Sequence, residues 1–195
     1  MPEAVPHPGL LIVLVGPSGV GKSTISRQLA ERMNVSYTVS VTTRPKQMQD
    51  DVGKTYDHVD KKEFFRRLDN DEYLEYAQVY GDYYATPKHP ALDSLDNGRD
   101  VLLEIDFQGA MQVRYHYPDA LLIFVLPPDE QTLRQRLIDR GRDAVEDIEK
   151  RFRQAKREIH MAKGSRAFDQ MVINDDLNRV ISEIERIIGQ KRTGL

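Results

Sequence analysis

Residues 10–24 read LLIVLVGPSGVGKST, and the rest of the chain is organised around them. Five apolar residues, Leu11 to Val15, run without polar interruption into Gly16. Such a run of leucine and β-branched residues suits a strand buried on both faces, the usual condition in a parallel sheet. Gly16, Gly21, Lys22 and Ser23 then fall in the register G-x-x-x-x-G-K-S, the pattern of a loop that cradles phosphate. Glycine permits close approach of backbone amides to an anion. Gly21-Lys22-Ser23 opens a helix, whose positive dipole end and unpaired N–H groups face that anion. Lys22 has the reach for the terminal phosphates, and the Ser23 hydroxyl can ligate Mg²⁺. With a strand before it and a helical pattern after it, the motif has the context it requires, which implies a nucleoside triphosphate site.

Bulk properties narrow the class. The 195 residues suffice for one domain with inserted lobes. Lys+Arg number 28 against Asp+Glu 31, so no basic excess points to nucleic acid. No cysteine is present, which excludes a disulfide frame and a thiolate metal site. No apolar run approaches the length of a membrane span. Residues 1–9, MPEAVPHPG, carry three prolines and no basic cluster, and read as a short disordered leader, not a signal peptide. The cytoplasm is the expected compartment.

Along the chain, Ile25, Leu29 and Met33 recur at i, i+4, i+8 and predict an amphipathic helix over 24–33. Residues 36–42 (SYTVSVT) alternate and predict a strand. The polar stretch 43–57, with Pro45 and Gly53, is too long for an ordinary connection, which suggests function. Asp60-x-x-Glu63 imitates a capping box ahead of a helix over 61–68. Residues 72–80 alternate, and Gly81-Asp82 turns the chain into Tyr83-Tyr84-Ala85, giving a small β-rich lobe. Five tyrosines crowd it: Tyr73, Tyr76, Tyr80, Tyr83 and Tyr84. Strand packing accounts for two or three of them; the others could line a polar pocket.

Residues 88–97 predict a helix with Pro90 in its first turn. Residues 101–105 (VLLEI) are a second apolar strand ending at Asp106. An acid there, beside a phosphate loop, suits Mg²⁺ or substrate positioning; the competing role is helix N-cap. Residues 120–126 (ALLIFVL) are a third buried strand, and Asp129 caps the helix after it. Arg134, Arg136, Arg140, Arg142, Arg151, Arg153 and Arg157 then crowd a helix–break–helix. Glu146, Asp147, Glu149 and Glu158 can pair several of them on a solvated face. The rest could fold over a triphosphate and meet charge developing on a phosphoryl group. Residues 171–174 form a last strand, and Asp176 caps a final helix. Strand–helix alternation predicts an α/β fold with a parallel sheet and helices on both faces. The core is expected at 10–35, 88–136 and 157–195, the lobe at 36–87 and the arginine-rich lid at 137–156.

A GTPase switch would carry an N/T-K-x-D base-reading motif, which is absent, and a motor would normally need a longer chain. A small phosphotransferase needs a second anionic site and a mobile cover, which the two insertions can supply. The chain resembles the guanylate kinase family, which passes the γ-phosphoryl of ATP to GMP. The likeness is carried by GPSGVGKST at 16–24, SVTTR at 40–44, G-K-x-Y at 53–56, EYAQVYGDYYAT at 75–86, LLEIDFQGA at 102–110, RLIDRGRD at 136–143 and VINDDL at 172–177.

The resemblance implies a P-loop nucleoside monophosphate kinase fold with a GMP-binding lobe and a helical lid. It implies ATP on Gly16, Pro17, Ser18, Gly19, Val20, Gly21, Lys22, Ser23 and Thr24, with Asn174 at the adenine. It implies GMP on Ser40, Arg44, Tyr56, Glu75, Tyr84, Thr86 and Asp106. Guanine presents N1–H and N2–H₂ donors side by side, and the Glu75 carboxylate can accept both. Lys22, Arg140 and Arg151 match catalytic positions, with Arg136 a further lid arginine, and Ser23 and Asp106 match the Mg²⁺ positions. Tyr73 and Tyr83 fall to packing. The implied partners are the two nucleotides alone, with no nucleic acid or membrane, on a monomer or homodimer. One departure matters: where the family usually carries a second phosphate-binding arginine, this chain has Gln47. A neutral amide cannot make the bidentate, charge-assisted pair. A ribose phosphate kinase, or a binding module without catalysis, are the alternatives to the main reading. The guanine-reading residues argue against the first, and the intact Lys22 and Ser23 against the second.

Overall fold

The structure, a computed structural model, describes residues 8–46, 56–139 and 145–194. Strand β1 (Leu11–Val15) is buried at every position. It lies at the centre of a five-stranded sheet with β2 (Ser36–Tyr37), β7 (Val101–Glu104), β8 (Leu121–Leu126) and β9 (Gln170–Ile173), in the order β2-β7-β1-β8-β9. Every pairing in it is parallel. Both faces are covered, which is why β1 shows no polar alternation. Ile12 and Leu14 point into one core with Ile25, Leu29, Val180 and Ile184, supplied by helices α1 (Lys22–Met33) and α7 (Leu177–Thr193). Leu11, Val13 and Val15 point into the other with Ala91, Ala110, Val113 and Ala162. These come from α3 (Lys88–Asp96), α4 (Phe107–His116) and α6 (Val145–Gly164). Each fully buried Leu or Ile here is worth about 1.5–3 kcal/mol relative to exposure.

A second sheet, ordered β4-β3-β6-β5, is built from β3 (Val41–Thr42), β4 (Asp57–His58), β5 (Tyr73–Val79) and β6 (Asp82–Pro87). Helix α2 (Lys61–Asp69) covers it. The Asp60 side chain accepts from the Glu63 N–H at 2.8 Å and caps that helix, while the Glu63 carboxylate is taken by Arg66 and Arg67. Phe64 and Tyr73 are buried together, with Tyr83 packed on them.

Residues 36–42 do not form the single strand that their alternation predicts. Ser36 and Tyr37 pair with β7 in the first sheet, whereas Val41 and Thr42 pair with β4 and β6 in the second. Alternation reports which face a residue takes, not which sheet its neighbours belong to, and residues 38–40 carry the chain across. The four-stranded sheet therefore starts at Val41 and not at residue 36. The hairpin turn is also one residue earlier than expected: Val79 pairs with Asp82, so Tyr80-Gly81 makes the bend. Helix α5 (Glu130–Asp139) runs into residues 140–144, which lie outside the described residues, and α6 follows. Among the described residues no helix is long and apolar enough to cross a membrane.

Candidate active site

The loop after β1 lies at the carboxyl edge of the parallel sheet, where ligands bind in such folds. Gly21 occupies the N-cap of α1 with φ 100°, a left-handed conformation, and a Cβ there would come within 2.5 Å of Asn174 Nδ2. Glycine is thus demanded twice over at this position. The first-turn amides of α1 have no intrahelical acceptors by geometry. The Lys22 ammonium donates to the carbonyls of Gly16 and Pro17 within the loop. Pro17, Gly19 and Val20 are buried, Ser18 is half-buried and Thr24 is exposed.

Asn174, expected at the adenine, lies buried beneath the loop and donates through its side-chain amide to the Val20 carbonyl at 2.8 Å. Arg136 reaches the same carbonyl at 3.3 Å and the Asn174 carbonyl at 3.0 Å. Both residues hold the loop from below, a long-range relation with no local signal in the sequence.

Around Ser23 the structure adds residues to the sequence reading. The acid in hydrogen-bond contact with the Ser23 hydroxyl is Glu104, at 2.8 Å. Its second oxygen accepts from the Tyr37 hydroxyl at 3.0 Å. Neither Glu104 nor Tyr37 was among the sequence candidates. The available signal was a lone charge closing the apolar run VLLE, on the strand next to β1. Asp106 is the N-cap of α4, accepting from the Gly109 N–H at 2.9 Å and from Gln108 Nε2 at 3.1 Å, a role that leaves its carboxylate at the carboxyl edge of the sheet. Burial pushes its carboxyl above the usual range, against the hydrogen bonds and the Lys22 charge. Among the described residues no group of three or more His, Cys, Asp or Glu could hold a metal ion. Mg²⁺ takes hard oxygen ligands and keeps several of its waters beside phosphate oxygens. Ser23, Glu104 and Asp106 supply oxygen donors of that kind.

Glu158, expected as a partner on a solvated face, is turned inward on α6. Burial raises its pKa, while Gln154 (donating at 3.0 Å) and the Lys22 charge oppose the shift and Asp106 adds to it. The surface reading does hold for Arg134, which pairs with Glu149 across α5 and α6.

The four-stranded sheet gathers the remaining candidates in two groups. Glu75 and Thr86 face each other on β5 and β6, both buried. The Thr86 hydroxyl donates to Glu75 Oε1 at 2.6 Å. The other carboxylate oxygen presses on the first turn of α4: a Cβ on Gly109 would sit 2.0 Å from Glu75 Oε2. Helix α4 also clasps β5 at the sheet edge. The Gln112 side chain donates to the Tyr76 carbonyl at 2.6 Å and accepts from the Tyr76 N–H at 3.2 Å. Gln108 Nε2 donates to the Gln78 carbonyl at 3.2 Å.

The second group is cationic and phenolic. The Arg44 guanidinium lies 5.8 Å from the Tyr56 ring centroid, and the Tyr56 and Tyr84 rings meet edge to face at 5.9 Å. Burial raises the Tyr84 phenol above its ordinary value, against the pull of Arg44. Tyr84 therefore remains a hydroxyl donor at neutral pH, beside a guanidinium suited to phosphate. Ser40 is buried at the crossing between the sheets, its carbonyl accepting from Asp57 N–H at 3.0 Å. Arg151, on α6, places its guanidinium 5.1 Å from the ring centroid of Tyr80 at the hairpin tip. Arg140 and Gln47 lie outside the described residues.

With this geometry in view, comparison with known proteins is direct. A family model described as guanylate kinase matches residues 9–191. The guanylate kinase of Carboxydothermus hydrogenoformans is 42% identical over 183 residues, 93% of this chain and 88% of the relative. That of Thermosynechococcus vestitus is 43% identical over 189 residues, 96% of this chain and 97% of the relative. The crystal structure of guanylate kinase from Anaplasma phagocytophilum superposes with a TM-score of 0.78 at 32% identity, covering 95% of this chain and 87% of that one.

Proposed function

The chain belongs to the guanylate kinase family, and on that premise we propose that it transfers the γ-phosphoryl of ATP to GMP, yielding ADP and GDP. One observation carries the choice of acceptor. A buried carboxylate, Glu75, is fixed by Thr86 on one side and α4 on the other. The adjacent N1–H and N2–H₂ of guanine match such a carboxylate as two parallel donors. Ser40 and Thr86 complete the reading of the base, and Asp106 stands where the acceptor meets the donor half. A ribose phosphate would leave Glu75 without that partner.

The acceptor phosphate falls to Arg44, Tyr56 and Tyr84, a guanidinium and two hydroxyls already gathered. The donor triphosphate falls to the amides of Gly16 to Thr24 and to Lys22, with Asn174 at or below the adenine. An oxygen of the GMP phosphate attacks the γ-phosphorus as the bond to the bridging oxygen of the ADP leaving group breaks. The protein's task is alignment and neutralisation of the spreading negative charge. Lys22, Arg140 and Arg151 would supply positive charge to that end. Mg²⁺, when bound with ATP, supplies further neutralisation of the β- and γ-phosphates, and Ser23, Glu104 and Asp106 are the residues that would hold it. The reading makes ATP and GMP the partners, with neither nucleic acid nor membrane, in the cytoplasm, on a monomer or a homodimer. It also divides the chain into a core at 10–35, 88–136 and 157–195, an acceptor lobe within 36–87 and a lid at 137–156.

A coupled ADP-release assay across GMP, dGMP, AMP and ribose phosphates tests the proposal. GMP should be turned over with the highest kcat/KM. Equal turnover of AMP and GMP would overturn the assignment of the acceptor site.

A further inference from the structure

Tyr37 closes β2, the edge strand of the parallel sheet next to β7. Its side chain packs on the core that α1 and α7 share with that sheet. In the register of the two strands Tyr37 stands opposite Leu102. Side chains two residues apart on a strand share a face, so Tyr37, Leu102 and Glu104 all stand on the α1 side of the sheet. That is the side from which Ser23, in the first turn of α1, meets Glu104. The Ser23 hydroxyl donates to Glu104 Oε1 at 2.8 Å, and the Tyr37 hydroxyl donates to Glu104 Oε2 at 3.0 Å. The carboxylate is thus held at both oxygens, from a helix on one side and from the edge strand on the other.

A serine hydroxyl carries one proton and two lone pairs, and the group that takes the proton fixes its rotation. Glu104 takes the proton of Ser23, which leaves the lone pairs of that oxygen to a cation. The last torsion of a glutamate is broad, so a single hydrogen bond does not settle the plane of its carboxylate. A second donor on the other oxygen does. We propose that Tyr37 is a positioning residue for the Mg²⁺ that accompanies ATP: its hydroxyl sets the carboxylate plane of Glu104, and Glu104 in turn sets the Ser23 hydroxyl. The inference rests on the part of the proposed function that puts Mg²⁺ at Ser23 and Glu104. It also ties the two halves of the protein together. β2 ends at Tyr37, and residues 38–40 carry the chain from there into the acceptor lobe, so Glu104 is oriented by the strand that leads into that lobe.

The test uses the full chain and Tyr37→Phe, which removes the hydroxyl and keeps the ring that packs on the core. Mg²⁺ titrated calorimetrically against the protein saturated with a non-hydrolysable ATP analogue should bind about tenfold more weakly than to wild type, the lower end of the usual cost of losing a partner behind a metal site. In EDTA the analogue itself should bind within about twofold of wild type, because the hydroxyl is assigned to the metal and not to the nucleotide. In a Glu104→Gln background Tyr37→Phe should cost nothing further, as expected of residues that act in series. Unchanged Mg²⁺ affinity in Tyr37→Phe, an equal loss of analogue affinity with and without metal (the mark of a merely structural role), or additive losses in the double variant would each overturn the inference. Unaltered Mg²⁺ affinity in Glu104→Gln overturns the metal assignment and this inference together; a weakened Glu104→Gln beside an indifferent Tyr37→Phe overturns this inference alone.

Discussion

Replacing Gly109 by alanine is the sharpest probe of the acceptor pocket. The added methyl would sit 2.0 Å from Glu75 Oε2 and 2.8 Å from its carboxyl carbon. Contacts under 3.0 Å do not persist, so the carboxylate must retreat by more than 1 Å to reach ordinary contact near 3.4 Å. A free side-chain end would swing away cheaply. Glu75 is only 4% exposed, and its other oxygen is held by the Thr86 hydroxyl at 2.6 Å. Retreat therefore breaks that bond or moves the carboxylate off the edge where the two guanine donors would arrive. A hydrogen bond to a charged group is worth about 1.5–3 kcal/mol, so KM for GMP should rise about tenfold to a hundredfold. The fold should survive, because alanine is a better helix former than glycine by about 1 kcal/mol. Initial rates with GMP varied at saturating ATP, and with ATP varied at saturating GMP, separate the effects: KM for ATP should move less than twofold. An unchanged KM for GMP, or an equal rise in both constants, would refute the assignment of Glu75 to the base.

Three further outcomes follow from the same reasoning. Gln47→Arg restores a charge-assisted contact and should lower KM for GMP by about tenfold to a hundredfold in the same assay, given about 1.5–3 kcal/mol for such a bond; an unchanged or raised KM would count against it. Glu104→Gln keeps a hydrogen-bond acceptor for Ser23 but removes the charge. Mg²⁺ titrated calorimetrically against the protein with a non-hydrolysable ATP analogue should bind about 10- to 100-fold more weakly, the usual cost of losing such support, and unaltered affinity would remove Glu104 from the site. Asp129 holds the start of α5 by accepting from the Thr132 N–H at 2.6 Å and hydroxyl at 2.9 Å, which lowers its pKa below the ordinary carboxylate value. A lowered pKa stabilises the fold above the unfolded-state value and is lost as pH falls. Asp129→Ala should therefore lower Tm at pH 7, with the gap to wild type closing as pH drops below about 4; a gap independent of pH would contradict the capping role.

The features legible in the sequence are those with local causes. Five apolar residues before a glycine-rich loop require a buried parallel strand, and β1 is that strand. Asp60 and Asp176 read as caps because capping needs only residues three apart, and both side chains accept as expected. Tyr73 and Tyr83, which suit strand packing, lie against Phe64. What was not legible depends on distant partners. Two acids two residues apart, Glu104 and Asp106, look alike as text; only the register of β7 against β1 brings the first to Ser23 while the start of α4 claims the second. Arg136 and Asn174 reach the underside of the loop from 116 and 154 residues beyond Val20. Glu158 looked like one more charge on a solvated face because helical spacing cannot report that this face is turned toward Lys22 and Asp106.

The clasp between α4 and β5 bears on how this protein can be re-engineered. The strand that would read the base looks like a portable cassette, flanked by turns and held in a sheet of its own. Yet both backbone polar groups of Tyr76 are answered by Gln112, and the carboxylate beside it rests on Gly109. A graft of residues 36–87 into another scaffold would leave that strand edge bare and the acid without its floor. Bare strand edges invite intermolecular pairing, so such chimeras should fail by self-association before they fail by lost recognition. The transferable structural unit is the strand pair together with residues 106–112, two segments that are not adjacent in the chain.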